Sequence, residues 1–161
     1  MRAETPLEAS PAEAPPPGFT AMRPYGPFAV LVGPICERVD SEQVVLGLRV
    51  QDKHCNRLDV VHGGMLSTLV DTALAFGVRR AAEARLGTGD FALVTTQISV
   101  NFLGNAVPGQ WIEAHVEVQR TGRRLGFATC RIHAGDAILV QASGQFMITM
   151  QDPFNPLTEQ P

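Results

Sequence analysis

Asn56-Arg57-Leu58-Asp59-Val60-Val61-His62-Gly63-Gly64-Met65-Leu66-Ser67-Thr68-Leu69-Val70-Asp71 leads into the one long helical pattern of the chain, and that helix dictates how the rest must pack. From Gly64 to Leu86, apolar residues recur at Leu66, Leu69, Val70, Ala73, Leu74, Gly77 and Val78, the three- and four-residue steps of an α-helix. A helix this apolar cannot stay half-exposed, so the remaining elements must enclose much of it. Its other face carries Gly64, Ser67, Thr68, Asp71, Thr72 and Ala75, all short groups where a solvated face would carry Lys, Glu, Arg or Gln. Long charged side chains begin only at Arg79, Arg80 and Glu83, where the helix is expected to emerge into water. Asp71 lies inside the short stripe. A carboxylate among leucines and valines costs folding free energy unless it is hydrogen-bonded, reaches solvent or works in a cleft. The helical pattern alone leaves a structural and a chemical role for it equally open.

His62-Gly63-Gly64 at the helix start shifts that balance. A helix N-terminus exposes backbone N–H groups with no intrahelical acceptor, and with the local dipole these hold an anion or a developing oxyanion. Glycine lets a carbonyl approach the backbone closely. A Gly-Gly pair also serves a plain tight turn, but here Asn56 stands six residues before His62 and Asp71 nine after it.

Moving outward, Gln43 to Val50 alternates as a strand after a turn around Asp40-Ser41. Gly87-Thr88-Gly89-Asp90 ends the helix. Leu93 to Phe102, Trp111 to Gln119, Arg124 to Ala134 and Ala137 to Thr149 follow as β segments, separated by hairpin-type turns at Val107-Pro108-Gly109-Gln110, Thr121-Gly122-Arg123 and Ala134-Gly135-Asp136. A strand, a long helix and a four-strand antiparallel meander predict an α+β fold, a curved antiparallel sheet wrapped around one central helix. Residues 1–18, rich in Ala, Glu and Pro, are expected to be a disordered tail; 19–152 form the domain and 153–161 a flexible C-terminal tail.

The 161 residues, 45% hydrophobic and 18% charged, fit one domain with a sizeable core. A net charge of -3 and no basic stripe argue against nucleic acid. No apolar run reaches the ~18 residues of a membrane span, and no secretory signal is evident, so a soluble cytoplasmic protein is expected. Cys36, Cys55 and Cys130, odd in number and widely spaced, suit a reducing compartment and are expected to be small buried residues. His54, Cys55 and His62 fit no zinc spacing, so no metal is expected. His115 and His133 read as surface or interface residues, and no phosphate-binding glycine loop opens a helix.

Over Phe28 to Thr149 the chain resembles the hotdog-fold acyl-CoA thioesterases, in the branch of the phenylacetate-pathway enzymes. Asn56, His62-Gly63-Gly64 and Asp71 carry the resemblance, with the strand Val94-Thr95-Thr96-Gln97-Ile98-Ser99-Val100-Asn101-Phe102, the Pro108-Gly109 turn, and Gly122-Arg123-Arg124-Leu125-Gly126-Phe127. It implies that Asp71 is the general base or nucleophile, that the Gly63 N–H polarises a thioester carbonyl, and that Asn56 and His62 assist. Thr95 matches best the hydroxyl residue that orients water, with Thr96 one register away. Gly64 and Thr96 would contact substrate, and Arg123 and Arg124, with Arg120, are placed to bind coenzyme A phosphates or to be an ordinary solvated turn. The resemblance further implies homodimers or homotetramers, with Asp71 and Thr95 facing Asn56, His62 and Gly63 of the partner, and no cofactor, coenzyme A being part of the substrate. Competing readings are a hotdog hydratase or dehydratase, using His62 and Asp71 for proton abstraction, and a non-catalytic acyl-CoA-binding domain. The acyl group is left open, since Met65, Leu66, Phe76, Phe91 and Phe102 suit an aromatic or an aliphatic pocket equally.

Overall fold

The computed structural model describes residues 14–39, 43–86 and 91–149. Strands β1 (Thr20–Ala21), β2 (Ile35–Val39) and β3 (Val44–Arg49) flank a short helix α1 (Pro27–Val32) and precede the long helix α2 (Gly63–Leu86). Strands β4 (Ala92–Phe102), β5 (Trp111–Thr121), β6 (Leu125–Ala134) and β7 (Ala137–Thr149) follow. All seven form one antiparallel sheet in the order β1-β2-β3-β5-β6-β7-β4.

The α+β class and the long helix are as expected; the meander is corrected. β5, β6 and β7 are a meander, but β4 pairs with β7 at the sheet edge while β5 lies beside β3. A hairpin between β4 and β5 would leave one flank of α2 open. Instead residues 103–110 carry the chain across the sheet near the helix start, where Ala106 is buried and its carbonyl accepts the Val61 N–H at 2.9 Å. β1, α1 and β2, of two, six and five residues, are too short to show a period in the sequence.

The core lies between α2 and the sheet's inner face. Leu69, Val70, Ala73, Leu74 and Val78 are fully buried against Leu46, Leu48, Ile112, Ile132, Val140 and Phe146. Glycines let the helix settle close: a Cβ on Gly77 would lie 2.6 Å from Val116, and one on Gly126 would lie 2.3 Å from Val78. As expected, charge begins where the helix emerges, with Arg79 and Glu83 bridged at 2.9 Å and Arg80 exposed. Cys36 and Cys130 are buried and Cys55 half-buried.

At the N-terminal side, the Pro16 carbonyl accepts the Phe19 N–H, and Arg49 donates to the Ala14 carbonyl. The rest of the expected N-terminal tail, the Asp40-Ser41 and Gly87–Asp90 turns and the C-terminal tail lie outside the described residues.

Candidate active site

Asp71 is half-buried on α2, and its Oδ1 accepts a 2.8 Å hydrogen bond from the Thr95 hydroxyl of β4. A β-bulge makes this contact possible. Thr95 pairs with Phe146 and Gln97 with Gln145, so Thr96 is the extra residue. Before the bulge Leu93 and Thr95 face the helix; after it Ile98 and Val100 do, and Leu93, Ile98 and Val100 pack on the core. Thr96 is turned to the neighbouring strand, its hydroxyl donating to the Gln145 carbonyl at 3.0 Å. Of the two threonines, the structure brings Thr95 to Asp71 and leaves Thr96 bound to backbone.

The rest of the short stripe is quiet. Ser67 and Thr68 donate back to the Gly63 and Gly64 carbonyls at 3.0 and 2.9 Å, four residues earlier. Thr72, buried, shares a 2.8 Å hydrogen bond with the Tyr25 hydroxyl. Asp71 thus lies between two tethers from different elements, β4 through Thr95 and the N-terminal segment through Tyr25.

At the helix start His62 acts as a cap. Its Nδ1 accepts the Gly64 N–H at 2.8 Å, so in the neutral ring the proton is on Nε2. This engages the Gly64 N–H expected to meet substrate. The Gly63 N–H, at the first helical position, has no intrahelical acceptor. The Phe102 ring packs beside it, 3.4 Å from where a Gly63 Cβ would be. Asn56 sits in a tight turn, its Oδ1 accepting the Leu58 N–H at 2.8 Å, which leaves its amide NH2 to donate outward. Behind this loop His54 is buried. Its Nδ1 accepts the Gln51 N–H at 3.0 Å, its Nε2 donates to the Val32 carbonyl at 2.9 Å, and its own carbonyl accepts the His62 N–H at 2.9 Å. Burial pushes its pKa down, opposed by the Val32 carbonyl and aided by Lys53.

Arg123 and Arg124 are exposed in the β5–β6 turn. Gly126, two residues on, aligns through Phe146 of β7 with Thr95, about 10 Å or two strand spacings away, and the arginines lie beyond it along the strand. Of the residues offered as pocket lining, Met65, Leu66 and Phe91 are buried, Phe76 is half-buried and Phe102 is exposed. His115 and His133, edge to face at 5.3 Å, lie on the outer sheet face beside Glu113, away from Asp71. Among the described residues no group of three or more His, Cys, Asp or Glu is placed to hold a metal. Nor is any helix there long and apolar enough to cross a membrane.

Tyr25 and His54 are the site neighbours that the sequence did not announce. Tyr25 is the sole tyrosine, but nothing in its surroundings pairs it with Thr72, 47 residues away.

The family profile of the Thioesterase superfamily matches residues 58–141, which span the helix start, the Asp71–Thr95 pair and the arginine turn. The chain belongs to that superfamily. A Pseudomonas aeruginosa protein bearing the name esterase is 36% identical over 132 residues, 81% of this chain and 95% of the relative. Acyl-coenzyme A thioesterase 13 of Mus musculus is 24% identical over 88 residues, 55% of this chain and 59% of the relative. Among solved structures, zebrafish thioesterase superfamily member 2 superposes with a TM-score of 0.66 at 24% identity, covering 76% of this chain and 88% of that one. The Escherichia coli PaaI protein from the phenylacetic acid degradation operon gives 0.65 at 22%, covering 76% and 84%. The architecture is the hotdog fold, and membership of this superfamily makes the chain a thioester hydrolase in the broad sense.

Proposed function

We propose that the protein hydrolyses acyl-CoA thioesters, with Asp71 as general base or nucleophile, in sites shared between two copies of the chain. The observation that carries this reading is the Thr95–Asp71 hydrogen bond, a carboxylate held by a strand hydroxyl at the sheet edge. With Oδ1 engaged, Oδ2 is the oxygen left to take a proton from water or to attack. In the first route water adds to the thioester carbon as its proton passes to Asp71. The tetrahedral oxyanion then re-forms the carbonyl and expels coenzyme A thiolate, which recovers the proton. Thr95, its hydrogen committed to Asp71, keeps lone pairs to accept from that water. In the second route Asp71 displaces the thiolate to give an anhydride that water then opens.

The oxyanion donor is the Gly63 N–H, with the Asn56 amide and His62 Nε2 assisting. Eight residues of helix separate Gly63 from Asp71, about 12 Å at ~1.5 Å per residue, so one chain cannot present both to the same carbonyl. A second copy supplies the missing half. β4 supports this arrangement, because its 11 residues pair with β7 on one side and, among the described residues, with no strand on the other, an edge to which a second copy can add. We read the assembly as a homodimer or homotetramer, Arg123 and Arg124 as phosphate contacts, and the location as cytoplasmic. The reaction needs no metal or cofactor beyond the coenzyme A of its substrate.

Thiol release from a panel of aromatic and aliphatic acyl-CoAs, measured on the wild type and Asp71→Asn, tests this reading. Turnover lost in the variant with acyl-CoA binding kept is expected. Binding without thiol release by the wild type would point instead to a hydratase or a binding protein.

A further inference from the structure

We propose that Tyr25 sets the acyl-group preference of the site, its ring forming the wall between Asp71 and an apolar cavity under the N-terminal segment. The inference rests on the thioesterase reading above and extends it to specificity.

Tyr25 belongs to two places at once. Its hydroxyl bonds to Thr72, the residue after Asp71 on α2 and one of the two buried polar residues among those described. Tyr25 also lines a cavity of about 270 Å3 whose other walls are the apolar Met22, Pro24, Ala29, Val30, Pro34 and Ile35, with Gly33 and the single charged residue Arg23. Tyr25 thereby connects the helix turn that carries Asp71 with that cavity.

The ring is held but uncovered. It is 59% exposed, so it contributes little burial to the fold, yet its hydroxyl is fixed by a side chain that is only 8% exposed. The segment around it is anchored on both sides. Met22 is buried, with its N–H donating to the Ile35 carbonyl at 2.9 Å, and Ala29 is buried on α1. At the end of α1 the Val32 carbonyl accepts from His54 Nε2 at 2.9 Å, and the Gly33 carbonyl accepts from Lys53. On the helix turn before Asp71 the Ser67 and Thr68 side chains are short, and the Thr68 hydroxyl is already bonded to the Gly64 carbonyl. An exposed aromatic face fixed at one end is a ready apolar contact for an acyl group whose carbonyl lies at Asp71.

Two consequences separate this role from a purely structural one. Removing the ring should open the cavity to longer acyl groups and change preference among substrates, whereas a lost structural contact would slow all substrates alike. Releasing the hydroxyl should blur the preference while leaving the ring in place.

The test is kcat/KM for a short aliphatic, a long aliphatic and a phenylacetyl-CoA thioester on the wild type, Tyr25→Ala, Tyr25→Phe and Thr72→Val, each checked for its melting temperature. Tyr25→Ala is expected to raise the ratio of long to short substrates by about tenfold or more, the scale on which pocket methylenes discriminate. Tyr25→Phe and Thr72→Val should move it in the same direction by less. Thr72→Val leaves the ring itself intact, so it keeps the test valid if Tyr25→Ala does not fold. Ratios unchanged in folded variants, with the wild type active, would overturn the role of Tyr25 and leave the thioesterase reading standing. A wild type inactive on every thioester would overturn both.

Discussion

Replacing Thr95 by valine keeps the shape of the side chain and deletes the hydroxyl that donates to Asp71 at 2.8 Å. A hydrogen bond to a charged group contributes about 1.5–3 kcal/mol, and Thr95 is exposed, so the lower end of that range applies. At about 1.4 kcal/mol per tenfold in rate, a loss of 1.5–2 kcal/mol corresponds to about a 10- to 30-fold fall in kcat. The fall should appear in kcat with KM little changed, because the hydroxyl orients the carboxylate and its water rather than the bound acyl-CoA. Thiol release under saturating substrate gives kcat, and thermal unfolding of the same samples separates a lost orientation from a damaged fold. Thr95→Ser is the control: it restores the donor and should recover most of the rate. If Thr95→Val kept kcat within twofold of the wild type, or if Thr95→Ser were impaired as badly as Thr95→Val, the 2.8 Å contact would have no part in turnover.

Other perturbations follow from the same geometry. Gly126→Ala would set a Cβ 2.3 Å from Val78 and push α2 off the sheet, so a denaturant titration should show a loss of about 1–3 kcal/mol with an unchanged slope. His62→Ala removes the helix cap and should cost about 1 kcal/mol, whereas His62→Asn, a good cap residue, should restore most of it; equal losses in both would exclude capping. His54 is neutral and doubly bonded in the fold, and burial holds its pKa below that of an unfolded imidazole. Its contribution is therefore complete above about pH 6.5 and declines as the pH falls below that value, because the unfolded chain takes up the proton first. Urea midpoints should drop between pH 7.5 and pH 5, and His54→Gln, which cannot titrate, should lose part of that dependence; His115, whose pKa burial also lowers, adds a share of its own.

The central helix and its chemistry were legible because they are local. Apolar spacing from Leu66 to Val78 fixes a helix whatever surrounds it, and the His62, Gly63 and Asp71 intervals sit on that same element. Strand order was not legible, because alternation tells which side chains point inward but not which neighbour accepts the hydrogen bonds. β4 consequently ends beside β7, 35 or more residues along the chain, instead of β5. The helix cap was not legible, because a histidine before Gly-Gly suits chemistry and capping alike, and only the 2.8 Å bond from the Gly64 N–H shows that Nδ1 is committed. Tyr25 escaped because its partner is distant in sequence and its own surroundings, Pro24 to Phe28, carry no regular period.

The extra residue at Thr96 splits β4 into two reading frames. Upstream, odd-numbered positions face the helix, and Thr95 is the last of them; downstream, even-numbered positions do, beginning with Ile98. Side chains on the two halves, the upstream one carrying Thr95 and Leu93 and the downstream one Ile98 and Val100, can therefore be exchanged without turning the other half inside out. Loss or gain of one residue within β4 is a different matter: like a frameshift, it inverts everything on one side of the change. The length of this strand should accordingly be harder for mutation to alter than any single side chain on it.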